Sequence, residues 1–328
     1  MKKNRMLITG GCGFIGSHFT DFQMGYVDME VIVVDKLTYA SNIDYLPEGA
    51  KLIKKDINDL TYDDIGEIQY CVNFAAESHV DNSIKKPDTF IRTNVFGTFT
   101  LLDVAKNHWM ENLNTCKSEF SEARFLHVST DEVYGTLGKT GVFTEETPYA
   151  PNSPYSASKA SSDFMVRSYF HTYGMNVVTT NCSNNYGPKQ HDEKLIPTII
   201  RKAINGEDIP IYGDGKNIRD WLYVLDHCKG IDLVFKHGTS GETYNIGGSN
   251  ERNNLYIANT ICKLLDQKKP KETSYREQIS FVTDRPGHDF RYAIDATKLE
   301  ENLGWKADEN FESGILKTIE WYLQKYQE

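Results

Sequence analysis

The sequence predicts an α/β protein: a doubly wound parallel sheet with a smaller α/β region following it. Three observations carry this. Short apolar runs alternate with helical stretches through the first half of the chain. A glycine-rich turn, Gly10-Gly11-Cys12-Gly13-Phe14-Ile15-Gly16, separates the first run from the first helix. The regular alternation stops after Asn185. Parallel strands need crossover connections, usually helices, so repeated βα units imply a parallel sheet covered on both faces.

The elements follow in order. Residues 5–9 form a short apolar strand, and 16–24 a helix with Phe19 and Phe22 on its buried side. Residues 31–35 are almost continuously apolar, as a strand buried on both faces should be. Residues 52–54 are a weaker third strand and 70–74 a fourth, with a strong helix over 94–108. Residues 124–129 give a fifth strand, 155–173 a long helix and 177–181 a sixth strand. Tyr186-Gly187-Pro188 breaks this rhythm. Beyond it, 197–205, 253–265 and 310–326 read as helices, and 209–212 and 219–224 as short strands. No internal repeat, low-complexity tract or flexible linker is visible. Residues 1–185 are therefore expected to form one domain, rejoined by part of 219–250. Residues 186–328 should form most of a second, packed on the first and lining a cleft.

Bulk composition narrows the function. In the 328 residues, 25% charged and 39% apolar side chains describe an ordinary soluble globular chain. The net charge of −10 argues against a sequence-independent nucleic-acid binder. It still permits an anionic small substrate, because a few arginines in one pocket outweigh the global field. Met1-Lys2-Lys3-Asn4-Arg5 runs straight into the first strand without the apolar segment of a secretory signal. The longest apolar runs are too short to span a bilayer, so no membrane partner is expected. Cys12, Cys71, Cys116, Cys182, Cys228 and Cys262 are scattered, with no C-x-x-C pair. That spacing suggests neither a metal site nor a disulfide scaffold, and a reducing cytoplasm is the simplest setting.

The glycine turn reads as a phosphate cradle. Gly10 permits the tight turn, Gly13 close approach of backbone to a pyrophosphate, and Gly16 close helix–strand packing. A helix opening there presents free N–H groups and its positive dipole end to the phosphates. The spacing is G-x-x-G-x-x-G, a weak signal by itself. Its context is a strand before, a helix after, and Asp35 nineteen residues beyond Gly16 at the end of the second strand. That context reads as a Rossmann dinucleotide site. The Asp35 carboxylate would accept hydrogen bonds from a ribose and repel a 2′-phosphate, favouring NAD over NADP. The neighbouring Lys36 is a base able to tolerate such a phosphate.

Tyr155 and Lys159 lie four apart on a predicted helix and share a face. A free tyrosine, with a pKa near ~10, is a poor base at neutral pH. A nearby ammonium favours the phenolate, which can then take a proton from a sugar hydroxyl while hydride leaves the same carbon. Thr130-Asp131-Glu132 falls just past the fifth strand, in the crevice where open α/β sheets bind ligands. On a regular strand the two carboxyls would point to opposite faces; an irregular loop could aim both at one substrate. Taken alone, the Tyr/Lys spacing reads as chance and the acidic pair as a solvated turn. Their combination with the cradle outweighs both readings.

The cradle and the Tyr155/Lys159 pair together resemble the extended short-chain dehydrogenase/reductase superfamily, whose members work on nucleotide sugars. Further strings look like one branch, the dTDP-glucose 4,6-dehydratases. They include Ala75-Ala76-Glu77-Ser78-His79-Val80-Asp81, Ser129-Thr130-Asp131-Glu132-Val133-Tyr134-Gly135 and Asn181-Cys182-Ser183-Asn184-Asn185-Tyr186-Gly187-Pro188. Lys194-Leu195-Ile196-Pro197, Arg219-Asp220-Trp221-Leu222-Tyr223-Val224 and Asp284-Arg285-Pro286-Gly287-His288-Asp289 extend the likeness over nearly the whole chain. Asn82, Lys189, His191 and Leu225 depart from the usual residues at their positions.

The resemblance implies the following roles. Tyr155, supported by Lys159, deprotonates the C4 hydroxyl while hydride passes to NAD. Glu132 removes the acidified C5 proton, and protonated Asp131 donates to the departing C6 hydroxyl. Hydride then returns to C6, leaving a 4-keto-6-deoxy sugar, and Thr130 hydrogen-bonds the C4 oxygen. Such a product belongs to deoxysugar biosynthesis, rhamnose included. Gly10, Gly13, Phe14, Ile15, Gly16, Asp35, Asp56, Ile57 and Ala75 would contact NAD, together with Tyr155 and Lys159. Ser78, Thr130, Asn184, Lys194, Leu195, Arg219 and Arg285 would contact the dTDP-sugar, the arginines pairing with its diphosphate. His79, His227 and His288 have no metal-ligand spacing and read as structural hydrogen-bonding residues. A homodimer is implied, with the helices at 94–108 and 155–173 pairing across a two-fold axis. Three alternatives stay open at this stage. They are a nucleotide-sugar 4-epimerase, a 4,6-dehydratase of another sugar nucleotide, and a non-catalytic NAD-sensing protein on the same fold.

Overall fold

The computed structural model describes residues 4–284 and 288–326. Its centre is a seven-stranded sheet. We number its strands β1 (Asn4–Thr9), β2 (Met29–Asp35), β3 (Lys51–Lys54), β4 (Tyr70–Asn73), β5 (Arg124–Thr130), β6 (Val177–Cys182) and β7 (Thr243–Ile246). They lie side by side in the order β7-β6-β5-β4-β1-β2-β3, every pairing parallel. All their carboxyl ends therefore emerge at one edge, where the loops of a doubly wound sheet bind ligands.

The strands alternate between two cores, because successive side chains point to opposite faces. Met6, Ile8, Val31, Val33 and Val178 pack beneath the helices α1 (Phe14–Met24) and Val224–His237. Leu7, Ile32, Val34 and Phe125 face α2 (Gly97–Trp109) and α3 (Pro154–Tyr173). A third core joins the helices Leu195–Ile204, Asn254–Lys268 and Phe311–Lys325 with Tyr186, Trp221 and Tyr223.

Local chemistry sets the ends of these elements. α3 opens on Ser153, whose hydroxyl accepts from the Ser156 N–H, with Pro154 in the first turn; it closes on Gly174 in the left-handed conformation. Before α2 the chain makes a π-helical turn over Ile91–Phe96 rather than α-helix. That bulge turns Asn94 inward, where its amide bonds Glu77 N and O and the Ser158 hydroxyl.

Two expectations about helices need correction. Phe22 does not face the core: it is 37% exposed and edges against Tyr26. The buried stripe of α1 is Gly16, Phe19, Thr20 and Gln23, because Gln23 hydrogen-bonds Asp232 of the helix Val224–His237. That helix, with strand β7, had no expected counterpart as an element. Both come from the second half of the chain and complete the first sheet.

This makes a direct prediction. A fragment of residues 1–185 lacks β7 and the Val224–His237 cover, leaving the core of Phe19, Val33 and Val178 without Val224, Ile231, Val234, Phe235, Tyr244 and Ile246. Each such large apolar side chain is worth ~1.5–3 kcal/mol when buried, so the fragment should show no cooperative thermal transition by circular dichroism. A sharp transition would show that the first half folds alone.

Candidate active site

At the carboxyl edge of the sheet lies a cleft enclosing about 310 Å³, within the range of small-molecule sites. Its floor at one end is the glycine turn. Gly10 sits in the left-handed region at φ +68, and a Cβ there would lie 2.9 Å from Ala75 N. A Cβ on Gly16 would come within 2.2 Å of Gly10 O. No side chain fits at either position, so the backbone and the α1 N-terminus face the cleft bare. The N–H groups of Phe14, Ile15 and Gly16 have no acceptor within the helix.

Asp35 lines the same end and is rigidly held. Its Oδ1 accepts from Leu37 N (2.8 Å) and the Ser41 hydroxyl (3.0 Å), and its Oδ2 from Cys12 N (3.1 Å). Oδ2 retains a free lone pair for a ribose hydroxyl. Lys36, which might have welcomed a 2′-phosphate, is turned onto Asp56 (3.5 Å) and Glu77 (3.8 Å). Asp56 also takes the Asn58 N–H groups; burial raises its carboxyl, but these bonds and Lys36 outweigh burial and hold it below the ordinary range. Ile57 and Ala75 complete this wall. The donor set and bare cradle fit a dinucleotide carrying an unphosphorylated ribose.

The chemistry-bearing residues converge farther along the cleft. Thr130 is the last residue of β5, and Asp131–Tyr134 form a single 3-10 turn rather than an irregular loop. In such a turn successive side chains step by about a third of a circle, so Asp131 and Glu132 can both reach the cleft they line. The Thr130 hydroxyl accepts from Glu132 N and approaches Asp131 Oδ1, each at 3.3 Å. Gly135, at φ +95, ends the turn.

Asp131 is 2% exposed, and its Oδ2 is buried without a hydrogen-bond partner among the described residues. Burial, then the charges of Glu132 and Asp220, push its carboxyl well above the usual carboxylate range against the pull of Arg219. The two neighbouring carboxyls thus sit in unlike environments, one of them biased toward its protonated form.

Tyr155 and Lys159 project from the first turns of α3 into the same cleft. Lys159 is buried, and its Nζ donates to Val128 O at 2.8 Å and lies 3.2 Å from His127 Nε2. Burial lowers its pKa to about 8, with Asp163 opposing. Burial, then Glu132, hold the Tyr155 phenol well above its ordinary value, while the Thr130 hydroxyl, hydrogen-bonded to it, works the other way. The lysine by itself therefore does not make Tyr155 a phenolate.

Ser78, Asn184 and Lys194 line the cleft, and Lys194 Nζ donates to Ser78 O (2.9 Å). Leu195 instead packs against the third core. Arg219 lies outside the lining: its guanidinium donates to Ile218 O (2.7 Å) and Asp289 O (3.0 Å) and stacks on the Tyr292 ring at 4.3 Å. Arg285 lies outside the described residues. Cys182 lines the cleft, while His127 stands behind Lys159 and Asn94 behind Glu77 and Ser158; no role was expected of any of the three from the sequence. Each is a lone residue inside an element, and only the pairing of elements brings it there. Of the departures, Asn82 donates to Tyr39 OH (3.1 Å), His191 edges onto the Tyr39 ring, and Lys189 pairs with Asp21 (2.7 Å). His227 and His288 contact Asn185 and Asp284 through their Nδ1 atoms. No group of three or more metal-ligating side chains occurs among the described residues.

The chain is similar to known proteins in sequence and in fold. The family model described as GDP-mannose 4,6 dehydratase spans residues 7–318. A dTDP-glucose 4,6-dehydratase of Xanthomonas campestris pv. campestris is 54% identical over 97% of this chain and 92% of its own length. The crystal structure of DesIV, a dTDP-glucose 4,6-dehydratase from Streptomyces venezuelae solved with NAD and TYD bound, superposes with a TM-score of 0.89. It is 41% identical and covers 98% of each chain. A UDP-glucose 4-epimerase of Thermotoga maritima, solved with UDP-glucose, reaches a TM-score of 0.85 at 25% identity, covering 98% of this chain and 99% of its own. The backbone is thus shared with epimerases, while the sequence is much nearer the dehydratases. On the family model and the extent of that identity, the chain belongs to the dTDP-glucose 4,6-dehydratase family of nucleotide-sugar short-chain dehydrogenase/reductases.

Proposed function

We propose that the protein dehydrates dTDP-glucose to dTDP-4-keto-6-deoxyglucose. The observation that carries this is the placing of Asp131 and Glu132 on one turn beside Tyr155, with Asp131 buried in a proton-retaining environment and Glu132 half-buried. An epimerase needs the Tyr/Lys pair but has no use for two carboxyls of unlike character.

The residues that would hold NAD are Gly10, Gly13, Phe14, Ile15, Gly16, Asp35, Asp56, Ile57 and Ala75, with Lys36 held away by its ion pairs. Bound NAD supplies the redox chemistry, taking a hydride from C4 and giving it back at C6. Tyr155 accepts the C4 hydroxyl proton, helped by the Lys159 ammonium and the Thr130 hydroxyl. Glu132 removes the proton at C5, made acidic by the C4 ketone, and later returns it. Asp131 protonates the C6 hydroxyl, which leaves as water. Tyr155 then holds one proton more and Asp131 one fewer than at the start. The Thr130 hydroxyl touches both groups, so it is the natural path for restoring the balance. Ser78, Asn184, Lys194, Leu195, Arg219 and Arg285 are assigned to the sugar nucleotide. Arg219 would have to exchange a carbonyl contact for the diphosphate.

Purified protein should convert dTDP-glucose to a species lighter by one water, measured by mass, without net consumption of added NAD. Denatured protein should release NAD and little NADP. A product of unchanged mass would sink the reading, and predominant NADP would sink the role of Asp35.

Substitution separates the steps. Glu132→Gln should leave C4 oxidation intact but stop C5 exchange with solvent deuterium, so the bound cofactor stays reduced. Tyr155→Phe should block oxidation itself. Loss of a general acid or base costs ~10²–10⁴ in rate. Near-normal turnover in Glu132→Gln would show that another group is the base.

The protein is also proposed to act as a homodimer in the cytoplasm, within deoxysugar biosynthesis. Ile91, Phe96 and Phe99 near and on α2, and Phe164 on α3, expose 42–58% of their surface, an apolar face suited to a two-fold helix contact. The six cysteines are free, as a reducing compartment keeps them. Sedimentation at micromolar concentration should give the mass of a dimer; a monomer would rule it out.

A further inference from the structure

Behind Lys159, away from the cleft, lies a buried polar cluster that the reaction as written does not use. His127 on β5 is 1% exposed, and its Nε2 stands 3.2 Å from Lys159 Nζ and 3.4 Å from Asp163 Oδ1. Asp163, one turn beyond Lys159 on α3, is 5% exposed, and its Oδ2 accepts from the Ser129 hydroxyl at 2.8 Å. The Asn73 amide, 3.1 Å from Nδ1, holds the imidazole from the β4 side. The ring is thus wedged between ammonium and carboxylate.

Ionised groups this deep are costly unless paired. The groups facing Lys159 are His127 from β5, Cys182 from β6, and Tyr155 and Asp163 from its own helix. Asp163 is the one carboxyl group among them and raises Lys159 against burial, whereas burial pushes the Cys182 thiol far up. Facing Asp163 are His127, Ser129, Tyr134, Tyr149 and Lys159. Of these only Lys159 brings a positive charge, because burial and then Lys159 bring His127 down to about 4 and leave it neutral.

We propose that His127 and Asp163 are positioning residues for the redox step. Asp163 is the buried counter-ion that keeps Lys159 charged, and the neutral His127 ring spaces the two and holds the ammonium beneath Tyr155. The carboxylate acts through Lys159 and never meets the substrate. This rests on the dehydration reading above, in which a charged Lys159 favours proton transfer to Tyr155.

The test is the pH profile of turnover with dTDP-glucose for the intact NAD-loaded protein. In the wild type, activity should fall as pH rises through about 8, where Lys159 loses its proton. Removing an opposite charge at this range lowers a lysine by ~1 pH unit or more. In Asp163→Asn the alkaline fall should therefore move down by about that much. Turnover at pH 8 should drop ~5-fold while that at pH 6 changes little, with KM unchanged. Asp163→Glu should restore the wild-type profile. A loss that is equal at every pH, or an alkaline fall that does not move, would overturn the proposal by making the carboxylate merely structural. If Asp163→Asn does not fold, His127→Gln decides. It should lower turnover yet keep the alkaline fall, and disappearance of that fall would assign the titration to the imidazole and overturn the proposal. Failure of the dehydration reading would look different, since the wild type would then release no water at any pH.

Discussion

The parallel pairing of β5 with β6 is the contact on which the site depends. It sets Thr130 opposite Cys182 and Ser129 opposite Asn181, so the 3-10 turn after β5 and the Asn184 segment after β6 open into one crevice. Because the pairing is parallel, α3 must cross between the two strands, and its first turn lands over their carboxyl ends. Tyr155 and Lys159 thus meet Asp131 and Glu132 through sheet topology. No bond between the two pairs of residues is needed to bring them together.

Burial then decides what each group does. Asp131 and Glu132 are the same chemistry at adjacent positions, yet desolvation and the proximity of Glu132 and Asp220 set Asp131 apart as the proton holder. Desolvation, then Glu132, hold Tyr155 in its phenol form, and desolvation weakens the charge on Lys159. The site by itself thus resists the phenolate.

Much of this was legible because it is local. The cradle is three glycines at fixed spacing, of which Gly16 is required by its contact with Gly10 O, while Gly10 is required by the backbone of Phe74 and Ala75. The strands betrayed themselves as apolar runs, and α3 by its Ser-Pro start and Gly174 stop. Where prediction failed, a distant partner had overruled local pattern. Phe22 yields the buried face of α1 to Gln23 because Asp232, over two hundred residues away, offers it a hydrogen bond. Strand β7 is a short, polar-looking segment, Thr-Tyr-Asn-Ile, stabilised as a strand by pairing with β6, by burial of Tyr244 and Ile246 in the first core, and by Asn245 bonding to Tyr134, Phe143 and Glu145.

The sequence by itself determined the parallel α/β class, the dinucleotide cradle, the Tyr155/Lys159 pair on one helix face and the acidic pair at a strand end. Each of these follows from spacing along the chain, which helix and strand periods convert directly into geometry. Only the tertiary structure decided that Lys36 faces Asp56 and Glu77, that Asp131 is the buried carboxyl, that Arg219 rests on backbone carbonyls and Tyr292, and that His127 and Asp163 stand behind Lys159. Those facts depend on desolvation and on contacts between elements far apart in sequence, and neither has any signature in local spacing.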